Sequence, residues 1–364
     1  MNSLHKIIIG DARKLDSVGD ESVELIVTSP PYPMIEIWDN IFSKLNPSIG
    51  DALKSKDGQK AFNLMHNELD KVWEECFRVL KPGSVACINI GDAVRTINGS
   101  FQMYSNHARI ISCMCNLGFA QLPDILWRKQ TNAPNKFMGS GMLPACAYVT
   151  YEHEYILIFR KGEKRIFAPN KEKEDRRKSA FFWEERNVWF SDVWNDLKGA
   201  SQQLFDKTAR ERSAAYPFEL AYRLICMHTI YGDTILDPFL GTGTSTIAAI
   251  ASCRNSIGVD VEEDLKNTID VAIQASIKFG GKRTLDRLAN HREFISDRIN
   301  SGKTIKYQNT NHNSGVVTSQ ETDILMSIPT KIQSVADLEY EVNYEFVSSD
   351  LDSKAFQLEL FDNS

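Results

Sequence analysis

Apolar positions along the chain follow two rhythms. Short apolar runs recur at Lys6–Gly10, Val23–Thr28, Ser84–Ile90, Gln121–Trp127, Glu154–Phe159, Thr234–Leu236 and Ser256–Val259. The first two are continuous rather than alternating, the pattern of parallel strands buried on both faces. Between the runs lie stretches with helical spacing. Leu69, Val72, Trp73, Cys76, Phe77 and Leu80 mark a helix over Asn67–Leu80, stopped by Lys81-Pro82-Gly83. Further helices are predicted over Tyr104–Leu117, Pro217–Thr229 and Ser245–Ser252, and a helix-rich region runs on to Ser301. This βαβα succession predicts an α/β fold, a doubly wound and mostly parallel sheet with helices on both faces.

The rhythm breaks between Asn132 and Ala214. Pro, Asn, Lys and aromatic residues (Phe181, Phe182, Trp183, Trp189, Phe190 and Trp194) are frequent there, and the tryptophans are expected in the core. Lys303–Thr318, rich in Asn, Ser and Thr, reads as a linker. The acidic stretch beyond it alternates like a strand at Leu338, Tyr340, Val342, Tyr344 and Phe346. Such a tail can shield a basic face, mediate dimerisation or pack on the sheet, and all three stay open. The expected organisation is a first half-domain over 1–131 and an insertion over 132–214, whose first strand, about 148–160, belongs to the sheet. A second half-domain with its following helices then spans 215–301, and the linker with its acidic extension spans 302–364.

A chain of 364 residues is long enough for one large α/β domain with an inserted or appended piece. No apolar run approaches the ~18–20 residues of a membrane span, and Ile7-Ile8-Ile9 is too short for a signal peptide. The seven cysteines lie mostly inside apolar segments, and Cys113 and Cys115 have neither redox-pair nor zinc spacing. Free thiols, no metal and a cytoplasmic location are therefore expected. The net charge of −6 argues against wholesale nucleic-acid binding. Its distribution softens that objection, with nine basic against four acidic residues from Arg160 to Lys178, and two against ten from Glu321 onward. A local basic stretch suits phosphate contact, although a solvated mixed-charge loop has the same composition.

Two segments carry candidate chemistry. Asp237-Pro238-Phe239-Leu240-Gly241-Thr242-Gly243-Thr244 joins a strand to a helix. Its glycines let the backbone approach a ligand closely, and the helix start aims free N–H groups at the same place. Seventeen residues past Gly243, Asp260 ends the next strand, where a carboxylate can accept bonds from two ribose hydroxyls. A dinucleotide fingerprint would want a small residue at 246, which is Thr, and a phosphate-binding P-loop would want a lysine. Far earlier in the chain, Val23–Thr28 runs into Ser29-Pro30-Pro31-Tyr32. The prolines fix φ at two positions, Ser29 offers a hydroxyl oxygen, Pro30 a carbonyl, and Tyr32 a ring face. No cysteine lies in this loop, which argues against a thiolate adding to a base ring.

Together with Arg78-Val79-Leu80-Lys81-Pro82-Gly83 ahead of a strand, these motifs resemble those of S-adenosylmethionine-dependent DNA amino-methyltransferases. The catalytic motif comes first, as in the β class of that family. The resemblance covers about residues 6–260 and implies a Rossmann-like methyltransferase fold in permuted order, with an inserted target-recognition region. It implies S-adenosyl-L-methionine as cofactor and double-stranded DNA as partner. Asp237, Phe239, Gly241, Gly243 and Thr244 are then expected around the methionine part, Asp260 on the ribose, and Asp11 of Gly10-Asp11 near the adenine. Tyr216-Pro217-Phe218-Glu219-Leu220 resembles the family's Phe-Pro-x-x-Leu element with Pro and Phe transposed, and Phe218 is expected beside the cofactor.

An exocyclic amine is a poor nucleophile, because its lone pair is delocalised into the ring. The site must accept its N–H bonds and hold it in line with the methyl donor. Ser29 and Pro30 are expected on the amine, Pro31 stiffens the loop, and Tyr32 is expected to stack on a flipped base. The resemblance ties serine at position 29 to cytosine-N4 enzymes, with Asp or Asn usual in adenine-N6 enzymes. Adenine-N6 transfer is the nearest rival, then a catalytically silent DNA-binding subunit, then methylation of RNA or another amine. Expected DNA contacts are Arg128, Lys129, Lys136, Arg176, Arg177 and Lys178, beside Asn132, Asn135, Arg186, Arg210 and Arg212. A restriction endonuclease acting on the same site is the expected partner. Recognition sequence and oligomeric state are not specified by these motifs.

Overall fold

Two strands that read alike in sequence are buried differently in the computed structural model, which describes residues 1–129, 138–198 and 216–347. Val23–Thr28 is buried at every position, whereas Asn2–Ile9 alternates, with Ser3, His5 and Ile7 inward and Asn2, Leu4 and Lys6 exposed. Helices cover the first strand on both sides. Ile26 packs with Leu69, Val72 and Trp73 of one helix, while Leu25 and Val27 pack with Leu220, Leu224 and Ala248 on the opposite face. In the second strand Ile7 and Ile9 pack on one face and half-buried Ile8 on the other, so the expected two-sided packing holds only at its C-terminal end, and the residues before it alternate.

Eleven strands form one sheet among the described residues. In chain order they are β1 (Asn2–Ile9), β2 (Val23–Thr28), β3 (Leu80–Ile90), β4 (Phe119–Gln121), β5 (Ile125–Arg128) and β6 (His153–Lys161), then β7 (Val193–Trp194), β8 (Thr234–Asp237), β9 (Asn255–Asp260), β10 (Ser327–Ala336) and β11 (Glu339–Phe346). Their order across the sheet is β7-β5-β6-β3-β2-β8-β9-β1-β11-β10, with β4 paired to β6. The five neighbours β3, β2, β8, β9 and β1 are parallel, so their C-terminal ends share one edge. From β2 the chain moves outward to β3, and from β8 it moves outward the other way to β9. The two connections diverge and leave a crevice between β2 and β8, the place where open α/β sheets bind ligands.

Helices α1 (Gly58–Val79) and α2 (Asn106–Asn116) cover one face, and α3 (Phe218–His228) and α4 (Thr244–Ala251) the other. The helix-rich region to Ser301 is a single 35-residue helix, α5 (Lys266–Asn300), packed on α4 and on β10. Gly280 permits that approach, since a Cβ there would lie 3.2 Å from the Ala251 Cα.

Other expectations are corrected at the periphery. Gln121–Trp127 is not one strand, because the segment around Pro123 separates β4 from β5. Residues 303–318 do not hang free as a linker. Buried Asn309 donates to the Glu321 and Ile324 carbonyls, and Val316 packs with Phe182 and Leu288. The acidic stretch packs on the sheet, β11 pairing antiparallel with β1 and β10 closing the edge. Of the tryptophans in the aromatic stretch, Trp189 and Trp194 are buried as expected, while Trp183 is exposed; of its phenylalanines, Phe182 is buried and Phe190 exposed. No described helix is long and apolar enough to cross a membrane.

Candidate active site

The crevice is built by residues that follow the ends of β2, β8, β9 and β1. Because β2 and β8 are neighbours, Thr28 ends beside Asp237 and donates its hydroxyl proton to Oδ1 at 2.6 Å. The Phe239 amide donates to the same oxygen at 3.0 Å, and Ser245 and Tyr216 hydroxyls donate to Oδ2 at 2.6 and 3.1 Å. Burial pushes this carboxyl above its ordinary range, and the four donors pull it back. Asp237 is thus the buried pin that shapes the turn, and its oxygens face protein donors.

Beyond the pin the turn reverses through two left-handed glycines, Gly241 at φ +56° and Gly243 at φ +92°, the latter capping α4. The Gly241 amide donates to Asp260 Oδ2 at 2.7 Å and the Glu262 amide to Oδ1 at 2.9 Å. Burial raises the Asp260 carboxyl, while these backbone bonds oppose the rise. The turn and the tip of β9 are therefore one rigid unit.

A cavity of about 870 Å³ opens over this unit. Asp11, Ser29, Pro30, Pro31, Phe239, Gly241, Thr244 and Asp260 all line it, so eight of the residues expected from sequence are brought together. Its far wall is apolar, with Trp38, Phe42, Leu69 and Val72. A Cβ built on Gly241 meets nothing within 4 Å, so the space beside this cavity-lining glycine is open. At the rim, Arg13 clamps Asp11 through Nε and Nη2 and donates from Nη1 to Glu68 at 2.5 Å. The Arg13 guanidinium holds the Asp11 carboxyl below its usual range.

Ser29 and Tyr32 form a second cluster at the end of β2. Ser29 Oγ lies 3.1 Å from the Tyr32 hydroxyl, which donates to Glu154 Oε2 at 3.0 Å. Asn89 Nδ2 donates to both the Tyr32 oxygen, at 2.8 Å, and Glu154 Oε2, at 2.7 Å. Lys129 is ion-paired with the other Glu154 oxygen. Burial, then the Glu154 charge, holds the Tyr32 phenol well above its ordinary range, so it keeps its proton.

Several expected residues stand elsewhere. Phe218 does not line the cavity; it packs on Tyr222 and Phe279, with ring centroids 5.5 and 4.4 Å away. The transposed Pro and Phe explain this, since Tyr216 takes the position beside Asp237. Gly243 lies beneath the turn against Ile269. Arg128 and Lys129 end β5 at the catalytic edge, exposed Arg128 paired with half-buried Glu152. Arg176, Arg177 and Lys178 belong to the helix Asn170–Lys178 at the other edge. The chain reaches it because β6 runs antiparallel to β3: Lys161 donates to the Leu80 carbonyl and Arg165 pairs with Asp233, both at strand starts. Asn132, Asn135, Lys136, Arg210 and Arg212 lie outside the described residues.

Sequence reasoning missed Arg13, Tyr216, Asn89 and Glu154. Asn89 carried a signal, as a polar residue inside an otherwise apolar strand run near the end that meets the catalytic loop, whereas Glu154 follows Glu152 and His153 ahead of its apolar run and carried none. Among the described residues no group of His, Cys, Asp and Glu side chains is arranged to hold a metal.

The family model described as a DNA methylase of the N6/N4 type matches residues 23–271. The type II methyltransferase M.MthZI of Methanothermobacter thermautotrophicus is 50% identical over 349 residues, covering 96% of this chain and 97% of the relative. M.MjaI of Methanocaldococcus jannaschii, also named a type II methyltransferase, is 51% identical over 280 residues, covering 74% and 91%. Among solved structures, TTHA0409 of Thermus thermophilus in complex with S-adenosyl-L-methionine aligns at TM-score 0.58 and 30% identity. The alignment covers 75% of this chain and 95% of that one.

Proposed function

From the family to which this chain belongs, that of S-adenosylmethionine-dependent DNA amino-methyltransferases, we propose that it methylates the exocyclic N4 amine of cytosine in duplex DNA. The observation that carries the choice of base is Ser29, which lines the cavity at the point where β2 meets the cofactor turn. Asp260 would hold the ribose hydroxyls, Asp11 would lie at the adenine end, and the turn from Phe239 to Thr244 would enclose the methionine part. The apolar wall of Trp38, Phe42, Leu69 and Val72 suits a purine ring. When bound, S-adenosylmethionine would supply an electrophilic methyl carbon: as the amine nitrogen bonds to it, the C–S electron pair stays on sulfur as a neutral thioether and one amine proton leaves to water.

The chain's own contribution is acceptance and alignment. Ser29 Oγ and the Pro30 carbonyl accept the two amine N–H bonds, which draws the nitrogen toward tetrahedral geometry and exposes its lone pair. Pro30-Pro31 holds these acceptors in place before substrate arrives, so little reorganisation remains for the reacting complex. The Tyr32 ring offers a stacking face to a base rotated out of the duplex. Arg128 and Lys129, at the catalytic edge, would meet DNA phosphates. The type II names of the two relatives support a role in protecting host DNA from an endonuclease that cuts the same sequence.

The test is a nucleoside digest, read by mass spectrometry, of varied duplex DNA incubated with the protein and S-adenosylmethionine. 4-Methylcytosine is the expected product. 6-Methyladenine would overturn the choice of base, and no methylated base would favour a silent DNA-binding subunit.

A further inference from the structure

Glu154 is a carboxylate embedded in the apolar strand β6 and is only 8% exposed. Register places Tyr155 opposite Ile90 and Ile156 opposite Asn89, so Glu154 lies beside Gly91 at the catalytic edge. Gly91 makes room for the cluster, since a Cβ there would come within 3.0 Å of the Tyr32 ring and 3.3 Å of the Glu154 stem. Glu154 neither lines the cavity nor stands within a hydrogen bond of Ser29, yet it controls the hydrogen-bond polarity at Ser29.

The polarity follows from counting donors and acceptors. With Lys129 on Oε1, Glu154 is a charged carboxylate, which only accepts. The Tyr32 proton must therefore point at Oε2, 3.0 Å away. Asn89 must turn its nitrogen inward as well, because its own oxygen would repel the carboxylate, and that nitrogen donates to Tyr32 at 2.8 Å. The Tyr32 oxygen then has only a lone pair left for Ser29, at 3.1 Å. Ser29 can satisfy that contact only by donating, which turns its proton inward and leaves its lone pairs to face outward.

We infer that Glu154 is a positioning residue for methyl transfer: acting through Tyr32, it orients the Ser29 hydroxyl so that its lone pairs face the target amine. The inference rests on the reading of Ser29 as an acceptor for that amine. Glu154→Gln keeps the shape of the side chain but can present N–H groups to Tyr32. Tyr32 is then released to donate to Ser29, and Ser29 turns its proton toward an amine that is itself a donor.

The experiment is steady-state kinetics on Ser29→Ala, Glu154→Gln, Tyr32→Phe and the Glu154→Gln, Tyr32→Phe double variant. Cofactor affinity by calorimetry and melting temperature are measured on each. Glu154→Gln is expected to lower kcat on the order of 10²-fold, with KM for DNA and cofactor affinity each within about twofold of the parent. Tyr32→Phe breaks the same relay, so adding Glu154→Gln to it should cost nothing further. An inactive Ser29→Ala beside a fully active Glu154→Gln, or fully additive losses in the double variant, would overturn the inference and leave the reading of Ser29 intact. A fully active Ser29→Ala would overturn both. If Glu154→Gln does not fold, Tyr32→Phe decides alone: a kcat loss with cofactor affinity kept supports the relay, and an unchanged kcat overturns it.

Discussion

Thr28 Oγ1 donates to Asp237 Oδ1 across 2.6 Å, joining residues 209 positions apart. One ends the strand that leads into the catalytic loop, and the other begins the cofactor turn. The bond exists because β2 and β8 flank the switch point of the sheet, so acceptor loop and cofactor turn are registered by the same buried carboxylate.

Asp237→Asn should therefore loosen both halves at once. Its two oxygens take four donors, and an amide would turn N–H groups toward some of them. Removing a buried charge offsets part of the loss. A net destabilisation of about 2 kcal/mol is expected, with weaker cofactor binding. Urea denaturation and calorimetry check both, and parent-like stability would mean that the hydroxyls simply reorient.

Gly241→Ala separates strain from occupancy. The left-handed backbone costs a β-carbon about 1–2 kcal/mol, but that carbon meets no protein atom within 4 Å. Stability should fall modestly, while cofactor affinity should fall on the order of tenfold or more, because Gly241 lines the cavity proposed for the cofactor. Equal affinity in the variant would move the cofactor away from this turn.

Arg176, Arg177 and Lys178 test the DNA face. They sit at the edge opposite Ser29, so changing all three to Ser should leave the salt dependence of DNA binding unchanged. If they do meet phosphates, the slope of log K against log salt should drop by about 0.9 for each phosphate no longer neutralised. Titrations at several salt concentrations decide between the two.

Acid should destabilise the fold well above the range where carboxylates titrate. Burial lowers His5 to about 3, and His66 and His228 to about 4, while the unfolded chain takes up these protons near 6.5. Between those values the unfolded state binds more protons, so stability falls as pH drops below about 6.5. Each histidine adds up to about 1.4 kcal/mol per pH unit. The urea midpoint should hold above pH 7 and decline from 6.5 toward 5; a flat profile would show that these rings are charged in the folded protein.

Much of this architecture was legible. β2 and β8 announce themselves as apolar runs stopped by motifs, and α1 shows its buried stripe. What stayed hidden depends on direction and partnership. The basic run after β6 looked ready for DNA, but a strand pattern does not show which way the strand runs, and the antiparallel β6 carries Arg176 to the far edge. The alternation around Tyr340 was visible, yet its partner is the strand at the other end of the chain. Asn89, a single polar residue in an apolar run, and Glu154, one of several polar residues at a strand start, were passed over because each matters only once its neighbours in space are known.

That pairing of distant strands has a consequence for how the protein is made. His5 of β1 meets Ser256, and Ser3 meets Tyr344, partners 251 and 341 residues further along. At ribosomal speeds of ~5–20 residues per second, β1 waits roughly 15–70 s between its own synthesis and the arrival of its outer neighbour. During that interval the outer edge of Asn2–Lys6, which β11 later pairs, lies open, a template for another nascent chain. Yield in a cell should thus depend on translation rate and on chaperones that shield this segment, even in variants whose finished fold is as stable as the parent.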